Sequence, residues 1–185
     1  MSLQMRLSAI LLMTAWPAFG QALTCAPPPD RTQETAALFA QLEASRSPGE
    51  ASLLSALIWR IWLTAPDDAA QGLLDQGMAA RSQGDYPASV AALGDLIAYC
   101  PGYAEGWNQR AFSAFLAQDF AAALTDLDRA LTLEPRHLGA LTGRAMTHIR
   151  LGNDIAAARD LRAALRQNPW LAERALLDGL QGTDI

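Results

Sequence analysis

Apolar residues return every three or four positions along most of the chain, the spacing that places them on one face of an α-helix. The stretch 49–63 shows the pattern as a broad apolar stripe made of Leu53, Leu54, Leu57, Ile58, Ile61 and Trp62. In the preceding stretch, 32–44, Leu38 and Leu42 share one helical face. A short Ser-, Pro- and Gly-containing segment separates the two stretches, and the pattern therefore predicts a helical hairpin over 32–66.

The rest of the chain carries a periodic signal. Pro101, Pro135 and Pro169 are spaced 34 residues apart. Fixed periods of this length indicate repeat architectures, and a proline ends each unit because it cannot continue a helical hydrogen-bond ladder. The prolines divide the chain into units 70–103, 104–137 and 138–171.

Other positions agree between the units. The shared pattern is a large apolar residue, a small residue four later, a small residue after a turn, a bulky apolar residue and a small or apolar residue near the end. The second unit supplies Trp107, Ala111, Ala123, Leu127 and Ala130; the third supplies Leu141, Ala145, Ala157, Leu161 and Ala164; the first supplies Leu73, Gly77, Ser89, Leu93 and Leu96. Small residues let two antiparallel helices approach closely, and larger neighbours fill the space around them.

A polar turn lies between the two helices of each predicted unit. The matching pairs are Gly84-Asp85, Gln118-Asp119 and Gly152-Asn153. We expect Asp85, Asp119 and Asn153 each to cap the second helix of its unit, since Asp and Asn side chains accept hydrogen bonds from free backbone N–H groups.

This pattern resembles the tetratricopeptide repeat over residues 70–171. The resemblance implies an all-α fold, a right-handed superhelical array of antiparallel helix pairs with three repeats. The hairpin 32–66 would cap its N-terminal side, and a helix over 172–181 would cap its C-terminal side. Ser89 and Leu96 stand in the first unit where the family usually has alanine, and this departure predicts a looser helix contact there.

In this family the first helices of successive units line a concave groove. The resemblance implies a peptide-binding groove lined by Met78, Arg81, Asn108, Gln109, Phe112, Phe115, Met146 and Arg150. Its centre is apolar and aromatic with arginines at the edges, as in surfaces that bind peptides. The alternative is that the hairpin or the C-terminal helix folds over this face and buries it. The basic set with which some family members bind chaperone carboxylates is not present, since Gly139 and Gly143 stand in its place.

The first 22 residues have the pattern of a secretory signal. Arg6 is followed by a short apolar run over 7–16, then by Pro17 and by small residues at 20 and 22. The run is shorter than the roughly 20 residues that a membrane span needs. We therefore expect cleavage after Ala22 and a periplasmic protein that begins with a Pro-rich lead over 23–31. Membrane contact is expected only if the signal stays uncleaved.

Cys25 and Cys100 are the two cysteines of the chain. In an oxidising compartment two cysteines favour a disulfide, which would hold the lead against the array. The alternative is a buried free Cys100 and an unrelated Cys25. Thr24 and Ala22 do not fit the positions before a lipidated cysteine, so lipidation is not expected.

Charge and composition narrow the function. The net charge is −5 and the chain has no lysine, which argues against a nucleic-acid partner. His137 is predicted to be exposed in a turn and His148 to be packed between helices, while Asp126 and Asp128 are interpreted as a solvated surface. These residues form no metal-ligand or catalytic set, so we expect no cofactor, no metal and no enzymatic activity.

Two functions remain. The first is an exported adaptor that binds a protein or peptide segment in the concave groove. The second is a structural subunit that assembles with itself or with a cell-envelope complex through the convex face or the hairpin. In the second case Trp59 and Trp62 would be interface anchors. Neither the partner nor the oligomeric state follows from the sequence.

Overall fold

A computed structural model describes residues 24–180, and the predicted signal at 1–22 lies outside them. The described residues form α-helices and one 3-10 helix, with no strand among them, so the predicted all-α class is confirmed. The elements are α1 Thr32–Glu43, α2 Pro48–Trp62, α3 Asp68–Ser82, α4 Tyr86–Tyr99, α5 Ala104–Leu116, α6 Phe120–Leu133, α7 Leu138–Arg150, α8 Asp154–Gln167 and the 3-10 helix Ala172–Gly179. Within 24–180 no helix combines the length and the apolar character that crossing a membrane requires.

Helices α3 to α8 form three pairs that stack in chain order. Each helix packs against the next, and the first helices of the pairs, α3, α5 and α7, also touch one another in succession. This is the predicted solenoid of helix pairs. The pairs correspond to the predicted units, except that α3 begins slightly before residue 70; the unit boundaries themselves stay predictions.

The three predicted helix caps are confirmed. Asp85, Asp119 and Asn153 each accept a hydrogen bond from the backbone N–H three residues later, at 3.0, 3.1 and 3.4 Å. Each satisfies a donor that the first turn of an α-helix leaves without an intrahelical partner. The second helix of every pair therefore starts where the polar turn predicted it.

The first pair is packed tightly, and the prediction of a looser contact there is wrong. A Cβ atom added to Gly77 would lie 2.4 Å from Cγ of Leu93, so the two helices approach as closely as glycine allows. The Ser89 hydroxyl is fully buried and donates to the Gly77 carbonyl oxygen at 2.7 Å. The hydroxyl that replaces the usual alanine methyl thus adds a hydrogen bond instead of loosening the contact.

The second and third pairs share a feature that the first pair lacks. Arg110 makes two hydrogen bonds to Asp126, at 2.8 and 2.7 Å, and Arg144 does the same to Asp160 one repeat later, at 2.6 and 2.9 Å. Asp126 is buried, so its interpretation as a solvated surface residue is wrong. The hydrogen bonds to the Asp126 carboxylate raise the pKa of Arg110, and burial opposes this effect without cancelling it. These pairs tie the first helix of a unit to the second.

The N-terminal hairpin lies elsewhere than predicted. Instead of capping the outer side of the first pair, α1 and α2 pack into one apolar core with α5 to α8. This core includes Phe39, Leu42, Leu54, Ile58 and Trp62 from the hairpin and Ala111, Leu127, Leu138, Leu141 and Ala164 from the array. Part of the stripe on α2, with Leu54, Ile58 and Trp62, is buried against the array, which removes apolar surface from water.

Polar contacts hold the hairpin to the C-terminal end of the array. The Arg136 guanidinium donates to a Glu43 carboxylate oxygen at 2.6 Å and lies 4.0 Å above the Phe39 ring. The indole N–H of Trp170 donates to the Ser45 carbonyl oxygen at 3.2 Å. The chain therefore closes on itself, with its first helices against its last.

The predicted disulfide between Cys25 and Cys100 is present, with the two Cα atoms 5.2 Å apart. Asp67 supports it: its carboxylate caps α3 and accepts a 3.0 Å hydrogen bond from the Ala26 backbone N–H. The tyrosine before Cys100, Tyr99, donates its hydroxyl to the same carboxylate at 3.0 Å. The Pro-rich lead is thereby held against the first helix pair.

The C-terminal element, where a capping helix over 172–181 is predicted, is the 3-10 helix Ala172–Gly179. It contacts α8 and has no buried residue. Trp170, just before it, is partly exposed because its ring reaches towards the hairpin. The array of helix pairs thus ends at α8, and the 3-10 helix contacts α8 without burying a residue of its own.

Candidate functional site

Helix α2 divides the concave face into two parts. In the covered part, the Trp62 ring stacks on His137 with ring centroids 4.0 Å apart and an interplanar angle of 11°. Trp59 fills the space above Gly139, where an added Cβ would lie 2.5 Å from the Cη2 atom of the indole. Gly139 is therefore in contact with the protein's own tryptophan.

Beneath α2 lies a buried polar pair. His137 and Glu105 are fully buried, and the distance from Nε2 to Oε2 is 2.7 Å. The Ala140 backbone N–H donates to Nδ1 of the same imidazole at 3.2 Å, so Nε2 carries the proton and donates to the carboxylate. The prediction that His137 is exposed is wrong, because α2 covers the turn in which it lies.

Two of the predicted groove residues belong to this polar cluster. The Asn108 amide donates to Glu105 at 3.2 Å, and the Gln109 amide nitrogen donates to the other carboxylate oxygen. Both residues are buried. Tyr103 closes the cluster by donating its hydroxyl to the Trp62 carbonyl oxygen, and burial, followed by the nearby Glu105 charge, raises the pKa of Tyr103.

The second part of the face, the open pocket, remains accessible. It is a cavity of about 240 Å³. Its lining is Trp59, Arg81, Asn108, Gln109, Ala111, Phe112, Phe115, Leu127, Gly139, Thr142, Gly143, Met146 and Thr147. Six of the predicted groove residues, Arg81, Asn108, Gln109, Phe112, Phe115 and Met146, come together there. Phe112 is 49% exposed and Met146 is 37% exposed, which leaves an aromatic and thioether surface facing solvent.

A single cationic side chain and no acidic one lines this pocket. The Arg81 guanidinium lies 4.7 Å from the centroid of the Phe112 ring and donates to the Gln109 carbonyl oxygen at 3.2 Å. Burial lowers the pKa of Arg81, although the Glu105 charge opposes this effect. The pocket is therefore apolar, with positive charge at one edge.

Two predicted groove residues lie outside the open pocket. Met78 packs against the core of the first helix pair instead of facing the cavity. Arg150 lies over Phe120 at 4.7 Å and over Phe115 at 5.9 Å, beside the cavity and not within its lining. A binding role for the predicted groove residues stays a prediction.

The sequence analysis assigned no pocket role to Trp59. Its ring borders both the covered part and the open pocket. Trp59 lies beside the apolar stripe of α2 in the sequence, but only the docked hairpin shows which helices its ring contacts. His148 is half-buried between helices, as predicted, yet its Nδ1 has no hydrogen-bond partner, and burial lowers its pKa.

Two further features belong to the fold. A cavity of about 430 Å³ lies between the Pro-rich lead, α1 and the turns that precede α5 and α7. Among the described residues, one group with metal-ligand chemistry comes together, formed by Cys25, Asp67 and Cys100. Its two sulfur atoms are joined in the disulfide and its carboxylate caps α3, so these residues act structurally.

Comparison with known proteins supports the tetratricopeptide assignment. A TPR repeat-containing protein of Rhizobium etli is 34% identical over 117 residues, which cover 63% of this chain and 57% of that protein. The human PEX5-related protein is 29% identical over 98 residues, covering 53% of this chain and 16% of its own length. The chain thus spans little more than half of the first relative and a small part of the second. No family model matches the chain.

Solved structures show the same fold. The TPR domain of Arabidopsis OM64 matches with a TM-score of 0.60 at 20% identity, covering 64% of this chain and 98% of that domain. The first TPR domain of Spaghetti (RPAP3), bound to an HSP90 peptide, matches with a TM-score of 0.59 at 22% identity, covering 60% of this chain and 89% of that one. The described residues therefore have the fold of these TPR domains, a solenoid of helix pairs.

Proposed function

We propose that this protein is an exported adaptor that binds a segment of another protein in the open pocket. The observation that carries the proposal is the exposure of Phe112 and Met146 opposite Trp59 in a concave cavity. Exposed aromatic and methionine side chains in a concavity are typical of sites that bind protein segments. The RPAP3 neighbour, of the same fold, was solved with a peptide bound.

The proposed activity is binding and not catalysis. The buried His137 donates from Nε2 to Glu105 and accepts the Ala140 backbone N–H at Nδ1, so both ring nitrogens are occupied and out of reach of a substrate. The polar groups that line the open pocket are amides, hydroxyls and one guanidinium. Such groups orient a ligand without supplying an acid, a base and a nucleophile together.

The Cys25–Cys100 disulfide supports export, since disulfides persist in oxidising compartments such as the periplasm. The signal pattern at 1–22 supports the same proposal. Fractionation of cells that express the full chain tests it. We expect a shortened, disulfide-bonded protein in the periplasm and a retained, reduced one when residues 2–22 are deleted; a full-length cytoplasmic protein in the first case overturns the proposal.

Binding is tested by cross-linking in the native cell envelope with a tagged full chain. We expect Phe112→Arg to lose the cross-linked partner, because it places a charge at the mouth of an apolar pocket beside Arg81. The matched control is Ile155→Arg on α8, since Ile155 is 66% exposed and lies outside the lining of the pocket. Equal recovery by both variants would move the binding site away from the open pocket.

A second candidate, self-assembly, is favoured by one observation on α2. Leu53 is 73% exposed and Leu57 lies one turn further along the same outer face. The earlier expectation that Trp62 anchors an interface is wrong, since its ring is buried against His137. Sedimentation velocity of the purified chain and of Leu53→Arg distinguishes the two candidates. Self-assembly predicts an oligomer that the substitution dissociates, whereas an adaptor predicts that both proteins are monomers.

A further inference from the structure

One polar atom at the open pocket has no partner within the protein. Gln109 lines the pocket and is more than nine-tenths buried, and its side-chain oxygen Oε1 accepts no hydrogen bond. Its amide nitrogen donates to Glu105. Exchanging the two amide atoms would set Oε1 against that carboxylate, so the unpartnered atom is the oxygen. A buried acceptor without a donor is unfavourable, and a ligand that supplies the donor would remove the cost.

Three neutral donors around Gln109 already have acceptors of their own. The Thr142 hydroxyl donates to the backbone of its own helix at 3.0 Å, and the Thr147 hydroxyl donates to the Gly143 carbonyl oxygen at 2.7 Å. The Asn108 amide donates to Glu105. Oε1 of Gln109 therefore remains a free acceptor, and a ligand can supply its donor.

The walls define the rest of the ligand. Trp59, Phe112 and Phe115 present aromatic rings, and Met146 presents a polarisable thioether that packs well on a ring. The volume of about 240 Å³ lies below the roughly 300–1,000 Å³ of sites for drug-sized ligands, so it suits one large side chain. Arg81 at the edge disfavours a cationic side chain and favours the face of an aromatic ring.

We propose that the open pocket binds a tryptophan side chain of the partner, whose indole N–H donates to Oε1 of Gln109. Tryptophan combines a flat aromatic body with a group that only donates, which matches the single unpartnered acceptor, Oε1 of Gln109. The half-exposed Phe112 ring is the wall that shifts to admit the indole. This inference rests on the proposed function and specifies the chemistry that the site recognises.

The test compares two probes that differ in one hydrogen-bond donor. N-acetyl-L-tryptophanamide and its 1-methylindole analogue are titrated into the purified chain, with binding followed by NMR of the Met146 methyl group. We expect the parent probe to bind about 10-fold more tightly, the effect of one buried hydrogen bond. N-acetyl-L-tyrosinamide and N-acetyl-L-phenylalaninamide should bind no better than the methylated probe.

A variant locates the effect. In Gln109→Met, which keeps the length of the side chain, the preference for the parent probe should fall below about 2-fold. The matched control, Gln41→Met at an exposed position on α1, should keep it. Because the comparison of probes needs only the unaltered chain, it decides the question even if Gln109→Met does not fold.

The outcomes separate this inference from the proposed function. Equal affinity of the parent and methylated probes, tighter binding of the tyrosine probe, or no response of the Met146 methyl group each overturns the tryptophan assignment. None of these results touches the adaptor proposal, which stands or falls on the loss of the cross-linked partner in Phe112→Arg. Loss of that partner with equal probe affinities would mean an adaptor that recognises another side chain.

Discussion

The covered part of the concave face and the open pocket are built by the same helices, yet they differ in chemistry. In the covered part, Gly139 on α7 leaves room for the indole of Trp59. Glu105 on α5 and His137 at the start of α7 are buried and form a hydrogen bond with each other. In the open pocket α5 and α7 present Phe112 and Met146, which remain exposed. One part of the face is therefore buried within the folded chain, and the adjacent part is the accessible surface to which we assign the proposed binding.

The largest effect is expected from breaking the buried pair in the covered part. His137→Leu leaves the Glu105 carboxylate buried without its imidazole partner and removes the cap of α7. We expect a loss of about 3–5 kcal/mol in the free energy of unfolding, measured by denaturant titration. His148→Leu is the matched control and should cost less than about 1 kcal/mol, since Nδ1 of His148 already lacks a partner. Similar losses in the two variants would show that the pair does not stabilise the covered part.

The second largest loss of stability is expected from reduction of the disulfide. Cys25 and Cys100 close a loop with a sequence separation of 75. Opening it should lower the free energy of unfolding by about 2–4 kcal/mol, mostly through the greater freedom of the unfolded chain. Denaturant titration with and without a reductant measures this, and the double variant Cys25→Ser, Cys100→Ser should not respond to the reductant. A reductant effect of the same size in that double variant would contradict the assignment.

Gly139→Ala tests the close approach of Trp59. The added Cβ would meet the Cη2 and Cζ2 atoms of the indole, and we expect a loss of about 1–3 kcal/mol in thermal or denaturant unfolding. Trp59→Phe removes those two ring atoms and should recover part of the loss in the double variant. Gly143→Ala is the control, because its Cβ would lie 3.2 Å from a mobile Leu127 methyl group and should cost less than Gly139→Ala. Additive losses in the double variant would mean that the indole does not set the requirement for glycine.

The smallest effect on stability is expected in the open pocket. Phe112→Arg changes a half-exposed ring, so the free energy of unfolding should stay within about 0.5 kcal/mol of the unaltered chain. The same variant is expected to lose the protein partner. A large loss of stability would instead make Phe112 part of the core and would weaken the contrast between the two parts of the face.

Local features followed from the sequence because they depend on neighbours along the chain. The caps at Asp85, Asp119 and Asn153 act on the backbone three residues later. The 34-residue period indicated the order of the helix pairs, and the resemblance to the tetratricopeptide repeat implied that Phe112, Phe115 and Met146 lie on one face, where they line one pocket. The disulfide followed from a count of two cysteines and an expected compartment.

The errors concern residues whose partners are distant in the chain. His137 pairs with Glu105 at the opposite end of the same unit, and Asp126 on α6 pairs with Arg110 on α5, so neither could be judged by its sequence neighbours. Gln109 was predicted as an exposed groove residue, but its amide is buried because Glu105 lies beneath it. A polar residue in a turn or on a helix is exposed to solvent only when no residue from elsewhere in the chain packs against it.

The sequence by itself determined the repeat and the helix boundaries near each turn, because periodic spacing and capping act over a few residues. The tertiary structure alone decided that α2 lies within that concave side and covers Gly139 and His137. The apolar stripe of α2 specifies that the helix must be buried but not against which surface. That choice depends on matching the indoles of Trp59 and Trp62 to a glycine and an imidazole that lie far along the chain.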